Sequence, residues 1–175
     1  MPERRYAFSW DFLGDIEAGR PHLGHETRIE VYRLFQYAMR DILEQMHGTE
    51  GCDKIMYQAG KLAGQEFCKH IVGKRESFDD FATAAQQALL DMKVGILRIE
   101  TADMEKNCFT FAVGEDLDCS GLPDIDATVC NYDEGFLAGM LLEQTGKEFD
   151  VKEIDCWCTG DRTCRFDVKL KAATD

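Results

Sequence analysis

Apolar residues recur at helical spacing through the first half of the chain. Between Ile29 and Met46 they repeat every three or four positions, which predicts an amphipathic helix over about 26–46. The segment GTEG at 48–51 ends this helix, and a second apolar stripe predicts another helix over about 52–72. Gly60 and Gly64, four residues apart on the second helix, would let another backbone approach closely. Ser77 followed by Asp80 predicts the cap of a third helix, through Met92.

The apolar period changes from helical to two residues after Gly95. Segments 96–101 and 108–114 alternate and read as a hairpin. A fourth helix is predicted from a cap at Asp126 or Thr128 through Gln144, with Gly146 past its end. A second hairpin then joins segments 149–157 and 164–170.

The first 20 residues alternate aromatic and polar positions, which indicates a strand or an extended arm. Taken together, the element order predicts an α+β fold: an antiparallel sheet with helices packed on one face, in a single domain over residues 1–175. The long apolar stripe of the first helix is typical of a core element or a dimer seam.

Charge and composition narrow the function classes. The chain has 33 acidic and 20 Lys or Arg side chains, a net charge of −13, which argues against a nucleic-acid interface or an anionic membrane surface. No apolar run approaches the ~20 residues that span a bilayer. The amino terminus lacks the continuous apolar stretch of a secretory signal. We therefore expect a cytoplasmic protein, in which the eight cysteines stay reduced.

Several cysteines lie near the carboxyl end, in the last predicted hairpin. If that hairpin is centred on Gly160, Cys156 faces Cys164, Ile154 faces Phe166, and both thiols point toward the core. The fourth helix could bring Cys130 to them. Three thiolates and a carboxylate would fill a tetrahedral zinc site with no position left for water, so such a site would be structural.

The identity of the fourth ligand stays open on spacing alone. Glu153 lies three residues before Cys156, and on a regular strand the two side chains would face opposite ways unless a bulge separated them. A second ligand set replaces Glu153 with Cys158, and a third possibility is that all these thiols are free and buried.

The same stretch resembles the signature of the 4-vinyl-reductase-like domain family, also described as hydrocarbon-binding proteins. The signature region is 130–168: a cysteine, five residues later Gly-aromatic-x-x-Gly, then an acid, a cysteine three residues on, a Gly-Asp turn and Cys-x-Phe. The matching residues here are Cys130, Gly135, Phe136, Gly139, Glu153, Cys156, Gly160, Asp161, Cys164 and Phe166.

The resemblance implies a ligand set and a function class. The family includes sensory domains of aromatic-catabolism activators, which bind phenols beside a structural zinc; their Cys, Glu, Cys and Cys ligands fall on Cys130, Glu153, Cys156 and Cys164. Relatives also include a protein implicated in reducing a tetrapyrrole vinyl group and vesicle-tethering subunits that hold an acyl chain. The shared features that it implies are an α/β fold that tends to form a homodimer and an enclosed apolar cavity.

Catalytic motifs are absent from the sequence. It has no phosphate-binding glycine loop, nucleophile elbow or dinucleotide fingerprint. Cys108, Cys119 and Cys158 have no histidine nearby in sequence and read as inert thiols. The predicted function is therefore binding of a small hydrophobic or aromatic molecule in a sensory or carrier role, with vinyl reduction of a tetrapyrrole as the alternative. The predicted pocket lies between helices and sheet, and its candidate lining residues are Phe109, Phe111 and Phe136.

Overall fold

The computed structural model describes residues 5–172. The strand or extended arm predicted for the first 20 residues lies outside the described residues at 1–4. It is wrong where the chain instead forms a 3-10 turn, Trp10–Leu13, and a one-turn helix α1, Ile16–Gly19. The side chain of Asp15 caps α1 by accepting from the N–H of Ala18. The segment packs on its own chain, because Trp10 stacks on His70 with ring centroids 4.9 Å apart and its backbone N–H donates to Glu66.

Helix α2 spans Ile29–Phe67 and continues as a π-helical turn at Cys68–Val72. The backbone leaves the helical region at Gly48, where φ is 71° and ψ is 168°, so α2 consists of two segments as predicted. Helix α3 spans Phe78–Asp91. Its predicted cap is confirmed, since Ser77 Oγ accepts a hydrogen bond of 3.0 Å from the N–H of Asp80.

Four antiparallel strands form one sheet. The two predicted hairpins are β1 (Ile96–Asp103) with β2 (Cys108–Gly114), and β3 (Phe149–Asp155) with β4 (Cys164–Leu170). Pairing of β2 with β4 joins them in the order β1-β2-β4-β3. The apolar core includes alternating residues of all four strands: Leu97, Phe109, Phe111, Val113, Phe149, Val151, Phe166 and Val168.

Helix α4 spans Asn131–Thr145 and begins later than the sequence pattern predicts. Asp126 has a φ of 54°, which a right-handed helix does not contain, so residues 115–130 form a loop and Cys130 occupies the position before the first helical residue. Gly146 ends the helix in the left-handed conformation, as predicted, and its N–H donates to the carbonyl of Leu142.

The helices pack on one face of the sheet, with α3 against β1, α4 against β3, and α2 against α4. The α2–α4 crossing is close because glycines face backbone on both sides. A Cβ at Gly60, Gly64, Gly135 or Gly139 would lie 1.9–2.1 Å from a carbonyl oxygen of the other helix. This confirms the close approach predicted from Gly60 and Gly64. Within residues 5–172, no helix combines the length and apolarity needed to cross a membrane.

Candidate metal centre and apolar cavity

Four buried cysteines converge between the loop before α4, the start of α4 and the last hairpin. The sulfur atoms of Cys119, Cys130, Cys156 and Cys164 all lie within 4.8 Å of one another, and all four residues are fully buried. Three of these thiols belong to the predicted ligand set. Cys119 does not belong to that set, because the sequence predicts only an inert thiol at this position. The loop between β2 and α4 brings its sulfur to the cluster.

Different elements deliver the four thiols. Cys164 opens β4 and pairs with Val113 of β2, while Cys156 directly follows β3. Cys130 stands at the amino end of α4, and Cys119 lies in the loop between β2 and α4. A metal ion bound by all four sulfurs would therefore cross-link the sheet, α4 and the loop.

A β-bulge places Glu153 and Cys156 on the same side of the sheet. Glu153 pairs with Phe166 and Asp155 with Arg165, leaving Ile154 as the extra residue. The predicted pairing of Ile154 with Phe166 is thus wrong, and Ile154 is 53% exposed. On a regular strand Glu153 and Cys156 would face opposite ways. Because of the bulge, the side chain of Glu153 turns inward like that of Cys156.

Glu153 lies beside the four sulfurs but outside their set. Its Oε2 accepts a hydrogen bond of 3.2 Å from the N–H of Cys130, and its own N–H donates to Glu134 Oε1 at 2.8 Å. Its Oε1 is buried without a hydrogen-bond partner. Burial raises the pKa of Glu153 to about 8, and the nearby Cys156 adds to the shift.

Cys158, the alternative fourth ligand, is also fully buried, yet its sulfur does not belong to the four-sulfur set. Burial raises the pKa of its thiol to about 12. A buried thiol with a raised pKa stays protonated and unreactive at neutral pH.

The sulfur spacing tests whether one tetrahedral ion fits. A Zn–S bond of about 2.3 Å implies a sulfur–sulfur edge of about 3.8 Å. The edges from Cys130 to Cys156 and Cys164 are 3.9 and 3.8 Å, which match. Cys119 and Cys164 are closer, at 3.0 Å, so one of these two side chains must shift if both bind one ion. With that adjustment the residues fit a closed four-coordinate site.

The cluster favours a thiolate at one position. Hydrogen bonds from the neighbouring thiols, that of Cys119 first, hold the pKa of Cys156 well below its usual range. The thiols of Cys130 and Cys164 have raised pKa values, chiefly because of the Cys119 sulfur beside each of them. Since the thiolate is the form that binds metal, a cation that binds here would displace the protons of the other thiols.

The positive side chains near the cluster in sequence make other contacts. Lys152 pairs with Glu134 at 2.9 Å, and Arg165 pairs with Glu100 and Asp155. The guanidinium of Arg40 instead bonds to the carbonyl of Val129 and the side chain of Asn131, the residues on either side of Cys130. Arg40 therefore holds the start of α4 in place.

An apolar cavity of about 280 Å³ lies between α3, α4 and the two hairpins. Phe109, one of the predicted lining residues, forms part of its wall together with Phe78, Leu141 and Phe149. The rings of Phe78 and Phe109 are stacked at 4.7 Å. Polar and charged side chains complete the wall: Glu76, Ser77, Asn107, Gln144, Thr145 and Lys147.

The other two predicted lining residues do not line this cavity. Phe111 is buried on the same strand, with its ring centroid 5.9 Å from that of Phe109. Phe136 is half-buried at the α2–α4 crossing, where its ring packs 5.1 Å from Phe67 and 6.4 Å from Tyr132. The structure thus brings Phe109 and Phe111 together and leaves Phe136 elsewhere.

A larger groove of about 670 Å³ runs along the start of α2 and the end of α3. Its walls carry Glu26, Arg28, Asp91 and Lys93, and Lys93 forms an ion pair with Glu26 at 2.7 Å. Both this groove and the smaller cavity have charged residues in their walls, but only the smaller cavity is lined by several phenylalanine rings. The smaller, aromatic cavity is therefore the better candidate for an apolar ligand.

Comparisons with known proteins agree with this architecture. Two uncharacterized proteins of Methanocaldococcus jannaschii are similar in sequence. MJ0150 is 28% identical over 125 residues, covering 70% of this chain and 69% of that protein. MJ1642 is 27% identical over 148 residues, covering 85% and 81%.

Solved structures show the same fold at low identity. A vinyl-4-reductase family protein from M. jannaschii has a TM-score of 0.59 at 17% identity, covering 86% of this chain and 85% of that one. The phenol-responsive sensory domain of the activator PoxR, solved with phenol, has a TM-score of 0.60 at 17% identity, with coverages of 76% and 71%. A trafficking protein particle complex subunit 3 from Naegleria fowleri, covalently bound to palmitic acid, reaches 0.63 at 14% identity, with coverages of 82% and 95%.

The family model of the V4R domain matches residues 109–170, from β2 to the end of β4. This range contains the whole signature region 130–168 and all four clustered thiols. The resemblance predicted from the sequence is confirmed over residues 109–170, the part of the chain that matches the V4R domain model.

Proposed function

We propose that this protein is a metal-stabilised, cytoplasmic domain that binds a small hydrophobic or aromatic molecule in a sensory or carrier role. The observation that carries the proposal is the cavity walled by Phe78, Phe109, Leu141 and Phe149. Stacked aromatic walls with a few polar groups are typical of sites for small apolar ligands, since the rings supply contact area and the polar groups orient the guest.

The size of the cavity favours a single ring or a short chain. Sites for drug-sized ligands occupy about 300–1,000 Å³, and this cavity of about 280 Å³ lies just below that range. A tetrapyrrole, with four linked rings, is too large to be enclosed there. The cavity therefore favours ligand binding over the alternative, in which the protein reduces a tetrapyrrole vinyl group.

Two structural neighbours support the ligand class. The PoxR sensory domain was solved with phenol, and the trafficking complex subunit carries palmitic acid. Both guests are apolar molecules with one polar end. The cavity of this chain offers the same combination, because Asn107, Gln144 and Thr145 stand beside the aromatic wall.

The metal in this proposal is a structural zinc ion. The ligands that the family resemblance implies are Cys130, Glu153, Cys156 and Cys164; three of them lie in the sulfur cluster, and the carboxylate of Glu153 lies beside it with Oε1 buried and unpartnered. When bound, zinc would supply a cross-link and no open coordination position. It would hold the start of α4 against the last hairpin, and α4 also contributes Leu141, Gln144 and Thr145 to the cavity wall.

A homodimer is also part of the proposal. The first segment of α2 exposes a row of apolar side chains, with Leu34 72% and Phe35 68% exposed. Their neighbours along the helix are Val31, Met39, Ile42 and Met46, all exposed. In a two-fold symmetric dimer, this row would pack against the same row of a second copy of the chain. The apolar stripe along the first segment of α2 is typical of such a dimer seam.

A matched pair of substitutions tests the binding site. Met104 lines the aromatic cavity and Met92 lines the larger charged groove, and each is 53% exposed. We expect Met104→Trp to cover the cavity and lower the affinity for phenol at least about tenfold, or about 1.4 kcal/mol. Met92→Trp should leave the affinity unchanged. Isothermal titration with phenol and with hexanol measures both.

The reverse pattern, with affinity lost only in Met92→Trp, would move the site to the charged groove. If neither probe binds the wild-type protein at millimolar concentration, ligand binding by this cavity is refuted.

A further inference from the structure

We propose that Cys119 is the fourth metal ligand of this chain, so that the ion is held by four thiolates: those of Cys119, Cys130, Cys156 and Cys164. Glu153 then stands outside the coordination shell. This inference rests on the metal site of the proposed function and changes its ligand set. It concerns a residue that lies outside the 130–168 signature.

The position of the Cys119 sulfur is the first observation. It is fully buried and lies within 4.8 Å of the other three sulfurs, whereas the Glu153 carboxylate does not join that set. The Cys119 sulfur lies 3.0 Å from that of Cys164, closer than a ligand–ligand edge of about 3.8 Å, so an ion bound by Cys164 would also lie within reach of Cys119. A rotation of one side chain lengthens that edge and completes the tetrahedron.

The second observation is that the loop holds Cys119 rigidly. Asp116 Oδ1 accepts hydrogen bonds from the N–H of Asp118 at 2.8 Å and of Cys119 at 3.0 Å. Arg33 of α2 donates to the carbonyls of Leu117 at 2.8 Å and Ser120 at 2.9 Å. The backbone on both sides of Cys119 is therefore bonded, so little ordering free energy is needed when its thiolate binds.

The same loop is anchored through the side chain of Asp118. Its carboxylate accepts from the hydroxyl of Tyr32 at 2.7 Å and from the amide of Gln36 at 2.5 Å, and Tyr37 donates to its carbonyl at 3.0 Å. These partners all belong to α2. Such support around a ligand residue is typical of metal sites, where outer hydrogen bonds orient the ligands.

Glu153 has a role in the fold that does not require a metal ion. Its Oε2 accepts from the N–H of Cys130, so the carboxylate orients the residue that carries one of the sulfurs. A carboxyl group in that position supports the site from outside the coordination shell. Four soft thiolates would then make the site selective for thiophilic ions such as Zn²⁺, Cd²⁺ and Cu⁺ over Mg²⁺ or Mn²⁺.

X-ray absorption at the zinc edge, on the full chain reconstituted with Zn²⁺, tests the ligand set. Zn–S bonds are about 2.3 Å and Zn–O bonds about 2.0–2.2 Å, so the two sets are resolved by distance. We expect four sulfurs in the wild-type protein and three in Cys119→Ser. Glu153→Gln should keep four sulfurs, and so should the matched control Cys158→Ser, a buried thiol outside the set.

Titration with Co²⁺ gives an independent measure, because thiolate-to-cobalt absorption in the near ultraviolet scales with the number of bound sulfurs. Cys119→Ser should lose about a quarter of this intensity, since one of four thiolates is removed. Three sulfurs and one oxygen in the wild-type protein would overturn the inference while leaving the metal site itself intact. That result does not depend on whether Cys119→Ser folds. No bound Zn²⁺ at all in the wild-type protein would refute the metal site of the proposed function, and this inference with it.

Discussion

Substitution of Gly139 by Ala should destabilise the protein, although Ala is the better helix former. The added Cβ would lie 2.1 Å from the carbonyl oxygen of Lys61 and 2.9 Å from the backbone nitrogen of Gln65. Nonbonded carbon contacts lie at about 3.5–4.0 Å, so α2 and α4 must separate locally by roughly 1 Å. A gap of about 0.5–1 Å forfeits a quarter to a half of the dispersion energy of the atoms that line it.

The expected magnitude follows from two opposing effects. Overpacking costs about 1–3 kcal/mol, and the upper end applies because the obstacle is backbone and cannot rotate away. Replacing Gly by Ala inside a helix returns about 1 kcal/mol. The net loss is about 2 kcal/mol, which for a domain of this size lowers the melting temperature by about 4–8 °C.

Chemical denaturation of Gly139→Ala, with Gly19→Ala as the control, measures this effect. No atom lies within 4 Å of a Cβ built at Gly19, at the end of α1, so that variant should change stability by less than about 0.5 kcal/mol. An unchanged or raised free energy of unfolding in Gly139→Ala would show that the helices tolerate a wider crossing and would refute the reasoning.

Three further predictions address the metal, the dimer and one buried acid, Asp116. Cys156→Ser should lose stoichiometric zinc by elemental analysis and lower the melting temperature by about 10 °C, since tight binding adds about 4 kcal/mol; retained zinc with an unchanged melting temperature would contradict the metal site. Leu34→Lys should halve the mass measured by light scattering, whereas Leu90→Lys, on exposed α3 surface, should not; a wild-type monomer would exclude the dimer. Burial raises the pKa of Asp116 to about 7, from about 3.9 in the unfolded chain. The folded state therefore keeps a proton that unfolding releases. The stability of the metal-free protein should decrease as the pH rises from about 4 to about 7. Asp116→Asn should flatten this slope in denaturation curves, and an equally steep slope would count against it.

The predicted helices and strands agree with the structure where interactions between residues close in sequence determine the element. Ser77 caps α3 because its hydroxyl reaches the N–H three residues on, and β2 follows the two-residue alternation that buries Phe109 and Phe111. The predicted start of α4 is wrong, because Asp126 and Thr128 are both good caps by residue type. In the structure the positive φ of Asp126 excludes it from a helix, and residues 128–130 stay outside α4, which begins at Asn131.

The amino-terminal segment shows the opposite case. Its alternating aromatics predict a strand, but residues 10–19 pair with no strand of the sheet. Trp10 instead stacks on His70 of the π-helical turn, and its N–H donates to Glu66 of α2. A strand needs a partner strand, and a single segment of sequence carries no information about whether one is available.

Residue spacing along the chain predicted the α+β element order, because helical and two-residue periods are local properties. The pairing of the last hairpin and the family resemblance together predicted three thiols of the cluster. The groups that stand beside these thiols depend on long-range contacts, which the folded chain alone reveals. The bulge at Ile154 turned Glu153 inward, and the folded loop brought Cys119 to within 3.0 Å of Cys164, 45 residues away in the chain. The path of such a loop follows from its bonds to α2, made by Arg33, Tyr32 and Gln36, and those long-range partners leave no periodic trace in the sequence.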